Sequence, residues 1–504
     1  MTFDLAPLVK KGDSLTMPLI SGSDMPSTHP AAIASEPHDP THGRESVRCP
    51  SRKVTRIASA CDSTSSLTQG ILEKGYGGFY STLCAVLLTI GRVRNGDYAW
   101  AFVLCDQMVV SGTSFLTTIL IGRGLGKHQL GLYVLAYSIV VVLLEVQNSF
   151  IASPYTMKSP QLDLPAQARY TGSALVLTIG LSAIAAVVLF AVGIIFPAKS
   201  GLGEVKPLFL IVSLIAAPLL LREFGRRVCF AHFHVREVLF LDSLGSVIQI
   251  GGLLLLIYFG SRSLRSVYWL IASASGITAI VWWSSWRHKT VITFDGALLA
   301  LRNTWSFGMW VLTGNLAIVL SQQVYPWYLG SLKGPDATAT FATCTYLLAL
   351  VNPFLTGVGN YLGPVTANAS IRGDSELSRV VMRASLLLFL VVGMFSLAIV
   401  MFGNHLLQLL YGAGYRIDIH VLAVLGASVV VLNSTLAVGF GFWAIGRPDV
   451  NLKINSLAIV LAVTAGPLLV WLYGLVGAAF GLLLAALSVS VLRVWLLRRV
   501  LHRI

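Results

Sequence analysis

The sequence predicts an all-α polytopic membrane protein with about twelve transmembrane helices in two parallel six-helix bundles. Three observations predict it. Charged residues make up only 12% of the 504-residue chain against 55% hydrophobic residues, and the mean hydropathy is +0.75. That charge content is about half of what a soluble domain carries on its surface. The apolar residues fall in long unbroken runs of helix-spanning length, not in the short alternating segments of a membrane β-barrel. The Lys and Arg residues lie between those runs, with a bias to alternate connections.

The elements follow in order. Residues 1–98 are polar, rich in Ser, Thr, Pro and His over their first 74 positions, and read as a disordered cytoplasmic tail. No apolar stretch follows the Lys10-Lys11 pair, so this is not a signal peptide. Residues 75–91 are apolar but short, and Arg92 and Arg94 follow; they read as an interfacial segment at most. A misassigned start codon would also explain such a tail.

From residue 99 a helix of about 20 apolar residues can cross the hydrocarbon core. Twelve runs qualify: 99–121, 129–152, 172–196, 204–221, 238–259, 267–285, 305–329, 338–361, 383–403, 419–442, 454–473 and 474–497. The last two nearly touch, which predicts a tight hairpin at Tyr473-Gly474. The first six runs (residues 99–285) form one bundle, 286–304 a basic linker, and 305–504 the second bundle with a short basic C-terminus.

Charge placement tests this arrangement. With both termini inside, the cytoplasmic connections and C-terminus hold 18 of the 36 Lys and Arg residues, the outer connections hold 8, and residues 1–98 hold 10. No basic residue falls in the middle of a run. The excess on one side places both termini in the cytoplasm of a multi-pass inner-membrane protein. The same scatter of basic residues lacks the stripe or aromatic-interleaved patch of a nucleic-acid surface, so a pI near 9.6 is topological. Six runs per half make the halves parallel, and Gly126 and Gly334 sit at matching outer turns, 208 residues apart.

Ionisable residues within spans are costly and therefore candidates for function. Asp106 lies about seven residues into the first helix, and Glu145 about seven from the cytoplasmic end of the second. Both fall roughly 10 Å deep at 1.5 Å per residue. Carboxylates at one depth on adjacent helices could share a proton or hold a sodium ion; each could equally face polar neighbours and only aid packing. Asp242 reads as a boundary residue at the start of the fifth helix. Amides cluster early in each half: Gln107, Gln147 and Asn148, then Asn315, Gln322, Gln323, Asn352 and Asn360. They could line a wet cavity and bond sugar hydroxyls, or tie helices together. Pro353, just after Asn352, predicts a kink inside the eighth helix, and Pro154 a helix stop after the second.

The six cysteines make no CxxC pair or zinc spacing, and the ten histidines are scattered, so no disulfide, metal or cofactor is assigned. There is no phosphate-binding G-x-x-x-x-G-K-[ST] loop, G-x-S-x-G elbow or HExxH. With connections this short, the pattern favours transport over catalysis.

Three segments carry a family resemblance. DQMVVSGTSFLTTILIGRGLGKHQLGLYVLAYS (106–138) resembles the first hairpin of polysaccharide-transporter and O-antigen flippases of the multidrug/oligosaccharidyl-lipid/polysaccharide exporter superfamily, through Arg123, Leu125, Gly126, Gly131, Tyr133 and Ala136. REFGRRVCFAHFHVREVLFLDSL (222–244) resembles their basic loop before helix 5, and YGLVGAAFGLLLAALSVSVLRVWLLRR (473–499) their closing hairpin. The resemblance spans roughly residues 100–500. It implies a V-shaped pair of bundles, alternating access, and translocation of a polyprenyl-linked oligosaccharide across the cytoplasmic membrane for surface polysaccharide synthesis. Implied partners are that substrate, membrane lipids, H+ or Na+ as coupling ion, and a polysaccharide polymerase or glycosyltransferase; nucleic acid is excluded. Some relatives bind pyrophosphate headgroups with cavity arginines. Here Arg222, Arg226 and Arg227 are the candidates at the cytoplasmic mouth, where they could instead anchor a loop. The alternative function is a cation-coupled multidrug or metabolite antiporter of the same superfamily, with Asp106 and Glu145 as its coupling residues.

Overall fold

A computed structural model describes residues 99–195, 203–260, 263–292, 294–415 and 417–501. The expected tail at 1–98 and the interfacial segment at 75–91 lie outside the described residues. The described chain is helical throughout, with short connections and no strand among the described residues.

Among the described residues twelve helices long enough to cross a membrane follow one another: α1 (Ala99–Gly124), α2 (Lys127–Gln161), α3 (Leu164–Ile195), α4 (Lys206–Ala231), α5 (Val235–Tyr258), α6 (Leu264–Trp286), α7 (Phe294–Lys333), α8 (Pro335–Arg372), α9 (Asp374–Tyr411) and α10 (Ile419–Ala444), then α11 (448–473) and α12 (475–501), which divide the run Pro448–Leu501. The division falls at Gly474, whose φ of 58° and ψ of −124° leave helical space. Without a Cβ, glycine enters this region at no steric cost. Gly466 and Gly481, on either side of the turn, both lie against the Tyr325 ring, so the chain doubles back as the expected hairpin.

Several helices outrun their apolar cores. α4 continues to Ala231, where the sequence placed a loop after 221, and α7 begins at Phe294, inside the expected 286–304 linker. The extra turn-lengths of α4 carry Arg222, Arg226 and Arg227 on the helix itself, because Asp106 and Asp242 of neighbouring helices meet the first two and Glu223 of α4 meets the third. Pro154 does not stop α2. The helix passes through a π-helical turn at Asn148–Ala152, which widens the backbone ahead of a residue without an N–H, and resumes at Ser153–Lys158. In α8 the kink expected at Pro353 is a 3-10 turn, Ala349–Val351, with Pro353 opening the next helical segment.

The turns α1–α2 and α7–α8 repeat one backbone geometry: Gly126 at φ 95°, ψ 168° and Gly334 at φ 89°, ψ 168°. They lie at one end of the helices, here called the glycine-turn end. The opposite, basic end carries the α2–α3, α4–α5 and α6–α7 connections and both outermost helix ends.

The buried apolar residues explain how the bundles sit. One core near the glycine-turn end joins both halves, with Leu130, Tyr133, Val212 and Tyr268 from α2, α4 and α6 and Phe341, Tyr411, Val421 and Ala478 from α8, α9, α10 and α12. Toward the basic end there are two cores instead. One belongs to the first bundle (Tyr155, Phe224, Val238, Trp282) and one to the second (Leu377, Val381, Phe442, Ile454, Val489). The two bundles share one core at the glycine-turn end and keep separate cores toward the basic end, where α7 still packs against α2 and α3.

Polar contacts across the seam agree. Thr118 and Tyr411 hydroxyls lie 2.8 Å apart, Tyr415 Oη donates to the Gly122 carbonyl at 3.3 Å, Trp327 Nε1 donates to Ser138 Oγ at 2.8 Å, and Arg123 donates to the Leu409 carbonyl. All four join the two bundles in the half nearer the glycine turns; a fifth, between Asn315 and Glu145, joins them near mid-helix.

Candidate functional site

The first bundle holds a cluster of charges that its sequence spacing prepares. Arg222 and Arg226 are four apart on α4 and share a helix face, as do Glu223 and Arg227. Across from them stand Asp106 of α1 and Asp242 of α5, 0% and 1% exposed. Arg226 bridges the two: Nη2 donates to Asp106 Oδ2 at 2.7 Å and Nε to Asp242 Oδ2 at 2.6 Å. Arg222 Nη2 takes the other Asp242 oxygen at 2.9 Å. Arg227 Nε bonds Glu223 Oε1 at 2.7 Å, and Glu223 Oε2 lies 3.9 Å from Arg226 Nη1.

Three guanidinium groups therefore face three carboxylates at short, charge-assisted distances. The carboxylates differ in support. Asp242 has two arginines. Asp106 has one, and its Oδ1 is buried with no hydrogen-bond partner. An orphaned carboxylate oxygen in a buried site is costly while the group is charged and can be relieved by a proton.

A polar ladder runs from this cluster along the α1–α5 interface toward the glycine-turn end. Ser246 donates to the Asp242 carbonyl at 2.6 Å, Thr113 Oγ1 lies 2.6 Å from Ser246 Oγ, and Gln249 Nε2 donates to Thr117 Oγ1 at 2.8 Å. The next residue, Thr118, makes the bundle-to-bundle contact with Tyr411.

The expected pairing of Asp106 with Glu145 is not what forms. Glu145 Oε1 accepts instead from Ser149 at 2.9 Å and from Asn315 Nδ2 of α7 at 3.0 Å, so it ties the first bundle to the second. The two carboxylates serve different partners because α1 turns Asp106 toward α4 and α5. Asp242, read from the sequence as a boundary residue, is a buried member of the cluster. Arg222, Arg226 and Arg227, candidates for a headgroup, have their charge matched within the protein.

The amides divide into two kinds. Gln147 is buried, and its Nε2 donates to the Leu220 carbonyl at 2.7 Å, which ties α2 to α4. Gln107, Asn148 and Gln323 are half-buried, whereas Asn315, Gln322, Asn352 and Asn360 are exposed. Asn352, Thr356 and Asn360 recur every four residues along one side of α8, all exposed.

Two residues escaped the sequence reading. Gln249 had only a mid-helix amide as its signal. Arg493 was counted with the basic C-terminus, yet it is buried, 8% exposed, within α12. Its signal was the continuation of apolar residues on both sides.

No family model matches the chain, and no curated protein matches it in sequence. Solved structures do match in fold. An inward-facing conformation of a multidrug resistance MATE family transporter of the MOP superfamily aligns with a TM-score of 0.62 at 14% identity, covering 83% of this chain and 98% of that one. An outward-facing conformation of such a transporter aligns at 0.58 and 16%, covering 81% and 97%. A MOP superfamily transporter from Pyrococcus furiosus, described as having a binding pocket of reverse polarity, aligns at 0.58 and 15%, covering 81% and 96%. The chain is a multi-pass membrane protein with the MATE-like transporter fold.

Proposed function

We propose that this chain is an alternating-access flippase of the cytoplasmic membrane, which moves a polyprenyl-linked oligosaccharide outward for surface polysaccharide synthesis. The observation that carries the reading is the exposed polar stripe Asn352, Thr356 and Asn360 on α8, with Asn315 and Gln322 on α7. Amides at membrane depth face a wet path, not lipid. Neutral amides both donate and accept, which suits a chain of sugar hydroxyls better than a cationic drug. The fold neighbours include inward- and outward-facing states, as alternating access requires. The excess of basic residues assigns the basic end, with both termini, to the cytoplasm. The two separate cores then lie on the cytoplasmic side.

The energy source in this reading is a proton. Asp106 takes it up, gives up its bond to Arg226, and loosens the α1–α4–α5 contact from which the polar ladder runs to the seam.

The test is the lipid-linked glycan pool. In a strain lacking the protein, a complete repeat unit on its polyprenyl carrier should accumulate by mass spectrometry. Wild type should clear it, and the double variant Asn352→Leu/Asn360→Leu should not. A second reading, a proton-coupled multidrug antiporter, is favoured by the Asp106 environment alone. An unchanged pool and intact surface glycan, together with drug efflux that Asp106→Asn abolishes, would replace the first reading with the second.

A further inference from the structure

An ionisable pair crosses the seam at the glycine-turn end. The two repeated turns share a backbone geometry but not the residues that follow: Gly126 is followed by Lys127-His128, and Gly334 by Pro335-Asp336. His128 and Asp336 therefore hold equivalent places at the starts of α2 and α8. The same two helices touch one turn further along α2, where Gly131 meets the Pro335 carbonyl. Nδ1 of His128 lies 3.7 Å from Asp336 Oδ1. Its other nitrogen, Nε2, lies 2.6 Å from Oε2 of Glu204, in the turn Gly203–Val205 that leads into α4.

The two carboxylates have different parts. Glu204 belongs to the first bundle, as His128 does, so it orients the ring without joining the bundles. At this distance it accepts a hydrogen bond, which fixes a proton on Nε2. In a neutral imidazole the remaining nitrogen, Nδ1, is then a lone pair. That lone pair faces the Asp336 carboxylate across the seam, and nothing draws the two together. An imidazolium carries a proton on each nitrogen, and each then faces a carboxylate. The arrangement is complete only with the ring charged. Both carboxylates also stand at the start of a helix, where negative charge is favoured.

The neighbouring charges are turned elsewhere among the described residues. Arg123 of α1 donates to the Leu409 carbonyl, and Lys127 of α2 lies over the Tyr415 ring at 5.5 Å. Lys206 of α4 donates to the Ile194 carbonyl at 3.3 Å, and the Lys333 side chain of α7 runs beside Gly474. Arg265 of α6, His405 of α9, and Asp418 and His420 at the start of α10 also stand at this end, and none of them pairs with the ring.

We propose that His128 is a proton-operated latch between the two bundles. Protonated, it attracts Asp336 and holds the glycine-turn end closed; neutral, it lets that end part. Imidazole is the side chain whose charge changes between about pH 5 and 8. On the orientation given by the basic residues this end faces outward, so acidity outside the cell keeps the seam shut. The latch does not depend on what the protein transports. It is also distinct from the proton taken up at Asp106, which lies toward the basic end.

The separation of the bundles tests it. Spin labels at Ile195→Cys of α3 and Leu332→Cys of α7, both exposed at this end, report that separation by double electron–electron resonance once the native cysteines are replaced. Taking the purified full-length protein from about pH 8 to about pH 5.5 should raise the ratio of short to long separations about two- to fivefold, the range that an exposed ion pair supplies. His128→Gln and Asp336→Asn should each lose that shift. His128→Lys keeps a cation throughout and should hold the short separation even at about pH 8. His405→Gln and His420→Gln should retain the shift. Asp106→Asn should retain it too, which separates this latch from the coupling role given to Asp106. A ratio in the wild type that does not change with pH, or a shift that persists undiminished in both His128→Gln and Asp336→Asn, overturns the proposal.

Discussion

Asp106 and Asp242 face one guanidinium, and the geometry assigns them different work. Asp242 holds two arginines, so its removal leaves two buried cations short of a partner. Asp242→Ala should cost about 3–5 kcal/mol of stability, the usual penalty for breaking a buried ion pair from one side. Asp106→Asn keeps the shape and one hydrogen bond, and leaves Arg226 its bond to Asp242. It should melt within a few degrees of wild type while transport loses its dependence on a proton gradient. Melting curves and flux in reconstituted vesicles separate the two. His232, at the turn between α4 and α5, makes a second residue-scale case. Gln167 Nε2 lies 3.1 Å from His232 Nδ1 and also donates to the Ser159 carbonyl at 3.2 Å, so Nδ1 must accept. Nε2 then carries the proton, toward Tyr155 Oη at 2.9 Å. Burial, and then the charges of His234 and Lys289, hold the His232 pKa below its ordinary 6.5. The native state binds fewer protons than the unfolded chain, so this contribution is complete above about pH 6.5 and is lost as pH falls from there toward the depressed native value. His232→Gln should flatten the pH dependence of melting between pH 5 and 7. Much of this was legible. Asp106 and the α4 arginines stand out as charges beside apolar runs. Which helix face meets which neighbour is set by tertiary packing, and so the sequence could not tell that Asp106 would meet Arg226 and not Glu145.

At the scale of elements, the number and order of spans follow from apolar length, which is a local property. Their ends do not, because a helix stops where its backbone finds other partners. α4 runs on to Ala231 because Asp106, Asp242 and Glu223 neutralise the arginines that would otherwise mark a loop. The turn that finally ends it is strained. Phe233 has φ 60°, the left-handed region, with its ring 84% exposed. A non-glycine residue there carries roughly 1–2 kcal/mol of steric cost, and this side chain returns little by burial. Phe233→Gly should therefore raise stability by about 1 kcal/mol, reduced by the greater freedom glycine brings to the unfolded chain. An unchanged or lower midpoint in chemical denaturation would mean that Phe233 makes a stabilising contact of its own at this end. The breaks in α2 and α8 belong to the same scale. Both have a proline as the second residue of the resuming segment, and both were marked in sequence by that proline, but whether the chain answers with a π turn or a 3-10 turn depends on what packs against it.

For the molecule as a whole, alternating access demands a seam that closes tightly and still parts in every cycle. The contacts at the glycine-turn end fit that demand. They are hydroxyl, indole and guanidinium-to-carbonyl bonds and close helix packing, in which water can replace the hydrogen-bond partners, while the buried charges of the α4 cluster stay inside one bundle, where they need not be separated. Across the seam the tightest glycine approach among the described residues is Gly131 of α2 against the Pro335 carbonyl of α8, where a methyl group could not be placed without moving one helix. Close approach of this kind across a membrane interface is the use to which small residues are put. Gly131→Ala should then act on the balance of states more than on the fold. Overpacking of this size costs about 1–3 kcal/mol, and each 1.4 kcal/mol is a factor of ten, so the seam-closed population should fall relative to the seam-open one by about five- to a hundredfold. Ser138, 3% exposed beneath Trp327, reports the change. With the native cysteines replaced, a cysteine at position 138 should label slowly with a membrane-impermeant maleimide, and markedly faster when Gly131→Ala is added. Labelling that stays slow while α2 and α8 accommodate the methyl would show that the seam yields by local bending, and that the two bundles do not move apart as rigid bodies at this end.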